Sequence, residues 1–157
     1  MAQASVIVNR PPAEVWAYIA DIGTMERWDP GVEVVEPVPP LARGSTFTIT
    51  AQVFGRRVAD ARIEEFEPGR RIGWKATARG GWITGGGSWV SATYLTEPQD
   101  GATRLTRIMH GEARGPLMHL LQPLLLAKAR RERAEEISNI KTILEQGSQA
   151  GASPAAR

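Results

Sequence analysis

Residues 5–35 read SVIVNRPPAEVWAYIADIGTMERWDPGVEVV, and the order of events in that stretch decides the fold. An apolar run over 4–9 (ASVIVN) predicts a strand, and the doubled Pro11-Pro12 follows it directly. Proline suits a helix start because the first amides of a helix have no partner to lose. Asn9 either caps that helix or ends the strand. Val15, Ile19 and Ile22 recur at helical spacing, widened by Trp16 and Tyr18. Gly23 and Thr24 break the pattern, and Trp28-Asp29-Pro30-Gly31 ends a second short helix.

Beyond it the chain turns to strands. Val32–Val38 predicts one, and PPLARGS turns the chain. Over Thr46–Val53 the period becomes two, with Phe47, Ile49, Ala51 and Val53 on one face and Thr46, Thr48, Thr50 and Gln52 on the other. The chain turns at Phe54-Gly55-Arg56 and returns with Ala59, Ala61 and Ile63 inward. Alternation slips at Glu65-Phe66, which predicts a bulge. After Glu67-Pro68-Gly69, Ile72, Trp74, Ala76 and Ala78 face one side. GGWITGGG (80–87) leads to a strand over 88–96, Pro98–Gly101 to another over 103–113, and a final helix runs from about Pro116 to Glu145. The order β–α–α–β–β–β–β–β–β–α has only short strand-to-strand links, so the sheet is antiparallel. Its apolar face must be covered, and the last helix alone has the length to do so. A cleft between a curved sheet and one helix is a favoured ligand site.

At 157 residues this reads as one domain, 1–146, with a small, polar and disordered tail over 147–157. There are no cysteines, which excludes disulfides, thiolate metal sites and cysteine nucleophiles, and fits a reducing compartment. No apolar run reaches the roughly 20 residues of a membrane span, and no secretory signal pattern opens the chain. A cytoplasmic location is the expectation. Formal charge is only +2. The run Lys128-Ala129-Arg130-Arg131-Glu132-Arg133 is read first as a solvated helix face, and no aromatics accompany it as nucleic-acid binding would require.

The residues PPAEVWAYIAD (11–21), Trp28-Asp29-Pro30, EEFEPGRR (64–71), Gly101-Ala102-Thr103-Arg104-Leu105 and the terminal NIKTILE (139–145) resemble the START and birch-allergen-like superfamily, in its polyketide cyclase/dehydrase-like branch. The resemblance spans nearly the whole chain. It implies an α+β helix-grip fold, a curved antiparallel sheet of six to seven strands around a long C-terminal helix. It also implies a cavity for an apolar or aromatic small molecule, lipid- or polyketide-like. Some members of that superfamily catalyse cyclisation or dehydration and others only carry or sense a ligand. It supplies no universal catalytic set, and no metal or nucleotide cofactor is expected.

Small inward residues leave volume, so Phe47, Ile49, Ala61, Trp74 and Ala76 are expected to line the cavity. For the last two strands, pairing Tyr94 with Leu105 and Val90 with Met109 turns Val90, Tyr94, Leu105, Arg107 and Met109 inward. The same register turns Arg104, Thr106, His110 and Glu112 outward. Arg107 then needs a partner, because an unpaired buried charge is costly. Three readings stay open: a ligand carboxylate, enolate or phenolate; an internal acid, Glu65 or another; or a side chain that snorkels to the rim. Leu120 and Leu124, within the apolar run Leu117–Leu125, are expected over the cavity, and Pro123 is expected to kink their helix. Tyr94, Arg107 and His119 are the candidate catalytic residues. His110 and His119 are nine apart in different elements and do not predict a metal site. GGWITGGG lacks the Lys-Ser/Thr ending of a phosphate loop, and Trp82 within it reads as a lid or an anchor.

Three functions follow as alternatives: binding of a small apolar or aromatic ligand, with or without an acidic group; a cyclase, aromatase or dehydratase acting in the same cavity; or a protein docked on a membrane surface or a partner through Leu117–Leu125 and the basic run. A homodimer through that apolar end is a further expectation.

Overall fold

The structure, a computed structural model, describes residues 2–36, 41–52, 56–81 and 86–147. The strands are Ala2–Val8 (β1), Val32–Glu36 (β2), Thr46–Gln52 (β3), Arg56–Glu67 (β4), Arg71–Ala78 (β5), Trp89–Gln99 (β6) and Ala102–Glu112 (β7). The helices are Pro12–Ala20 (α1), Met25–Trp28 (α2), Pro116–Leu120 (α3) and Gln122–Gly147 (α4), with a 3-10 turn over Ile22–Thr24. All strand pairs are antiparallel, in the order β1-β7-β6-β5-β4-β3-β2. The expected α+β class and curved antiparallel sheet are therefore present, and β1 and β2 are its two edges.

That topology explains the opening stretch. The chain leaves one edge of the sheet and must reach the other, and α1, the 3-10 turn and α2 make the crossing. Their apolar residues Val15, Ile19, Ile22, Met25 and Trp28 are buried as they do so. Pro11 and Pro12 sit at the start of α1, as expected, and the strand before them ends at Val8. Val53, Phe54 and Trp82 lie outside the described residues, as do the strand residues expected at 37–38 and the tail from 148.

The β4–β5 register shifts between Ile63 and Glu65, a bulge just ahead of the Glu65-Phe66 position that the slipped alternation predicted. Gly73 faces it across the ladder. A Cβ there would lie 2.8 Å from the Thr93 hydroxyl, so no larger residue fits without movement.

The β6–β7 register differs from the expectation. Tyr94 pairs with Arg107, Ala92 with Met109 and Val90 with Gly111, two residues away from the expected pairing. The cause is the turn. Asp100 and Gly101, both with positive φ, form a two-residue hairpin loop, so the strands extend to Gln99 and Ala102. Pro98 therefore belongs to β6, beyond the last residue that β5 pairs, Leu95, where its missing amide leaves no gap in the inner ladder. A shift of two keeps each side chain on its expected face. Thr106 is buried nonetheless, its hydroxyl bonded to that of Ser5 at 2.9 Å.

The last helix also differs. The chain breaks at Leu121 into α3 and α4, and Pro123 lies at the second position of α4 rather than inside a kinked rod. There its missing amide costs nothing. The far end of α4 is fastened to the start of the chain. Arg10 donates to the carbonyls of Leu144 (3.0 Å) and Glu145 (3.2 Å), satisfying terminal groups of the helix with a cation suited to its dipole. Lys141 donates to the Ile7 carbonyl (2.9 Å), and Glu145 accepts from the Asn9 amide (2.8 Å).

Candidate functional site

Neighbouring pairs across the sheet place the inward residues in rows. One row runs Ala4, Arg107, Tyr94, Ile72, Phe66; the next runs Met109, Ala92, Trp74, Ile63; a third runs Gly111, Val90, Ala76, Ala61, Phe47. The rows differ in how they are covered. Tyr94, Ile72, Trp74 and Ile63 are buried in one core cluster with Trp28 of α2 and Ile137 and Ile140 of α4. Toward the other end, Ala59, Ala78, Val90 and Met109 are only half-buried. The grip is closed at one end of its strands and half open at the other.

Of the expected lining residues, Phe47, Ile49, Ala61, Trp74, Ala76, Tyr94 and Arg107 are buried, with the Phe47 and Trp74 rings in an edge contact at 6.5 Å. Val90 and Met109 stand at the half-open end. Leu120 and Leu124 do not close over it. They are 77% and 58% exposed, on either side of the helix break at Leu121. Shallow surface concavities lie at Thr46–Thr48 with Asp60–Arg62, and at Pro12 with Gly69–Arg70 and Thr96–Pro98; neither includes Arg107 or Tyr94.

One row farther in than Met109, in the closed end, lies a buried polar cluster. Arg107 of β7 and Tyr94 of β6 are direct cross-strand partners, and Glu136 descends on them from α4. The Arg107 Nη2 meets Glu136 Oε2 at 2.7 Å, and its Nε donates to the Tyr94 hydroxyl at 3.3 Å. Tyr94 in turn donates to Glu136 Oε1. All three are nearly inaccessible: 6%, 2% and 1% exposed for Arg107, Tyr94 and Glu136. Both carboxylate oxygens are thus engaged. Among the described residues Arg107 Nη1 is buried without a hydrogen-bond partner.

Burial pushes the Tyr94 hydroxyl well above its ordinary range, and the Glu136 charge adds to that. For Arg107, burial pulls the other way but is outweighed by Tyr94, Glu136 and Asp29, so it stays a cation. Asp29, on the turn after Trp28, accepts from the Gly31 amide at 2.8 Å and contributes negative potential to both residues.

The internal acid that Arg107 meets is Glu136 rather than Glu65. Glu65 pairs with Arg71 at 2.7 Å and accepts from Thr93. Glu136 carried a readable signal: it stands one residue before Ile137 and four before Ile140, an acid within an apolar helical stripe. His119 is exposed on α3, within electrostatic reach of Glu112, and His110 is exposed on β7. Glu112 is engaged by Arg114 (3.1 Å) and the Trp89 indole (3.1 Å) rather than by His110. Among the described residues no three His, Asp or Glu side chains gather as metal ligands would.

The model of a family described as polyketide cyclase/dehydrase and lipid transport matches residues 2–145. Solved structures share the fold at low identity. The Zhui aromatase/cyclase from a Streptomyces species superposes with a TM-score of 0.73 at 17% identity, covering 97% of each chain. The di-domain ARO/CYC StfQ of the steffimycin biosynthetic pathway gives 0.68 at 16% identity, over 95% of this chain and 46% of that one. Ara h 8.0201 gives 0.66 at 13% identity, over 92% and 97%. No protein with a curated description matches by sequence.

Proposed function

From the premise that the chain belongs to the polyketide cyclase/dehydrase and lipid transport family, we propose that it binds a small apolar or aromatic molecule bearing an oxygen acceptor. The ligand lies on the inner face at the half-open end, among Ala59, Ala78, Val90 and Met109, and its oxygen reaches Arg107. The observation that carries this reading is Arg107 Nη1, a buried donor with no hydrogen-bond partner among the described residues. Leaving such a donor unmet costs about 1–3 kcal/mol, which an acceptor from the ligand offsets. Met109 lies two residues from Arg107 on the same strand face, roughly 7 Å away, so a ligand of modest length spans the distance from mouth to cation.

Binding is favoured over a cyclase, aromatase or dehydratase reaction by the state of the polar groups. The Tyr94 hydroxyl is held protonated and donates to Glu136, so it is no base. Glu136 is already held by an ion pair to Arg107 and a hydrogen bond from Tyr94, and His119 is exposed on α3. A proton-abstracting base within reach of the substrate is what such a reaction requires.

Native mass spectrometry of the purified chain tests the reading, and should show an added mass that is lost on denaturation. Val90→Trp, which fills the open end without touching the polar cluster, should abolish both that mass and the fluorescence gain of an apolar naphthylamine dye. Protein that is empty and fails to brighten the dye removes the ligand reading.

A second reading rests on a separate surface. Leu117, Leu120 and Leu124 are exposed apolar residues, and the sequence just beyond carries Lys128, Arg130, Arg131 and Arg133. Apolar residues next to a cationic run suit an anionic membrane surface. Co-sedimentation with phosphatidylglycerol vesicles, absent with phosphatidylcholine and lost in Leu120→Glu/Leu124→Glu, is the expected result. No sedimentation, together with a dimer that this variant dissociates, assigns the surface to a second copy instead.

A further inference from the structure

The charge of the buried cluster limits what Arg107 can receive. Arg107 contributes one positive charge and Glu136, at 2.7 Å, one negative charge. Tyr94 is neutral, and Asp29 adds negative potential from the α2 side. The cation is therefore balanced before any ligand arrives. What is left on Arg107 is a hydrogen-bond donor, Nη1, in surroundings with no positive charge to spare.

We propose that Glu136 sets the charge class of the ligand, so that Arg107 takes a neutral oxygen acceptor, a ketone, ester or amide carbonyl, and discriminates against a carboxylate. The inference rests on the ligand reading above and names its substrate class. It decides among the readings that the sequence leaves open, against an acidic ligand group at Arg107. A carboxylate at Nη1 would stand close to Glu136 in a site shut off from water, where like charges are weakly screened and the ion must also be stripped of its hydration. A carbonyl meets the same donor with neither penalty. Specificity here comes from what is repelled as much as from what is held.

A matched pair of probes separates the two cases. 2-Acetylnaphthalene and 2-naphthoate share a ring system and present a ketone and a carboxylate at one position. Calorimetric titration of the full chain at neutral pH should give the ketone an advantage of about tenfold or more. Glu136→Gln keeps an oxygen acceptor for Arg107 and Tyr94 but removes the charge. It should move the ratio of the two affinities toward naphthoate by about tenfold or more. A group that merely supports the fold would weaken both probes alike and leave the ratio where it was.

Equal or tighter binding of naphthoate by the unaltered chain overturns the proposal, as does an unchanged ratio in Glu136→Gln. Should that variant fail to fold, the ratio in the unaltered chain decides alone. Binding of neither probe, with the naphthylamine dye still bound, removes a carbonyl-reading site at Arg107 while the open-end ligand reading survives. Loss of the dye as well removes both.

Discussion

Glu136→Ala should lower the unfolding free energy by about 3–5 kcal/mol, because it strands the Arg107 charge among apolar side chains. In chemical denaturation the transition midpoint falls while its slope is kept. The size of the loss reflects what is left behind more than what the pair is worth. Forming a buried ion pair recovers little beyond the desolvation it demands, so removal of both partners tells the other half. Arg107→Met/Glu136→Leu, combined with Tyr94→Phe so that no hydroxyl is orphaned, should regain most of the stability. It should also lose the distinction between ketone and carboxylate. A triple variant as unstable as Glu136→Ala would mean that the cluster holds the fold together, and its persistence would then need no ligand to explain it.

The sequence made the architecture legible wherever a single face is buried. Period-two alternation in 46–52 and 72–78 fixes which side of the sheet is inside, and one residue of slippage would turn every apolar side chain to water. The doubled proline and the two short helices were equally plain, since Pro11 and Pro12 fit only at a helix start. Long-range geometry was harder to read. The β6–β7 register hung on whether Pro98 belongs to the turn, and the positive φ values of Asp100 and Gly101 give the answer only once seen. Because the error was an even number of residues, the faces survived it and Arg107 was still placed inward.

The polar cluster was legible as two halves without a join. A cation on an apolar strand face and an acid in an apolar helical stripe each break a local rule, and each violation implies the other. Their meeting depends on how α4 lies over β6 and β7, which no local pattern states. Leu120 and Leu124 failed for the opposite reason. Apolarity at helical spacing reads as burial, yet both are exposed, on either side of the helix break at Leu121. An apolar run that the fold does not bury is a feature of its surroundings, which is why a membrane or a second copy enters the account there.

Trp28→Ala should cost about 3–5 kcal/mol, the range for emptying a large aromatic site in a core that cannot collapse. Trp28 is buried where three parts of the chain meet. Its ring stands edge-on to Tyr94 with centroids 5.7 Å apart, its indole donates to Thr24 at 3.3 Å, and its carbonyl accepts from Asn139 of α4 at 3.2 Å. The backbone contact persists in the variant, so α4 stays docked and the loss reports the ring. Tyr94 gives a second readout. Its hydroxyl is held up chiefly by burial, and removing the ring beside it admits water. In the folded variant its ionisation, followed by phenolate absorbance, should move down toward the ordinary tyrosine value. The sign of the linked stability follows. A tyrosine with a raised folded value contributes fully below about pH 10, the unfolded value, and loses that contribution as pH climbs toward the folded one. The unaltered chain should therefore weaken steeply above about pH 10, and Trp28→Ala, already weaker at neutral pH, should show the shallower decline. If the two decline with equal slope, Trp28 does not shield Tyr94, and the opening stretch braces the helix without sealing the cluster beneath it.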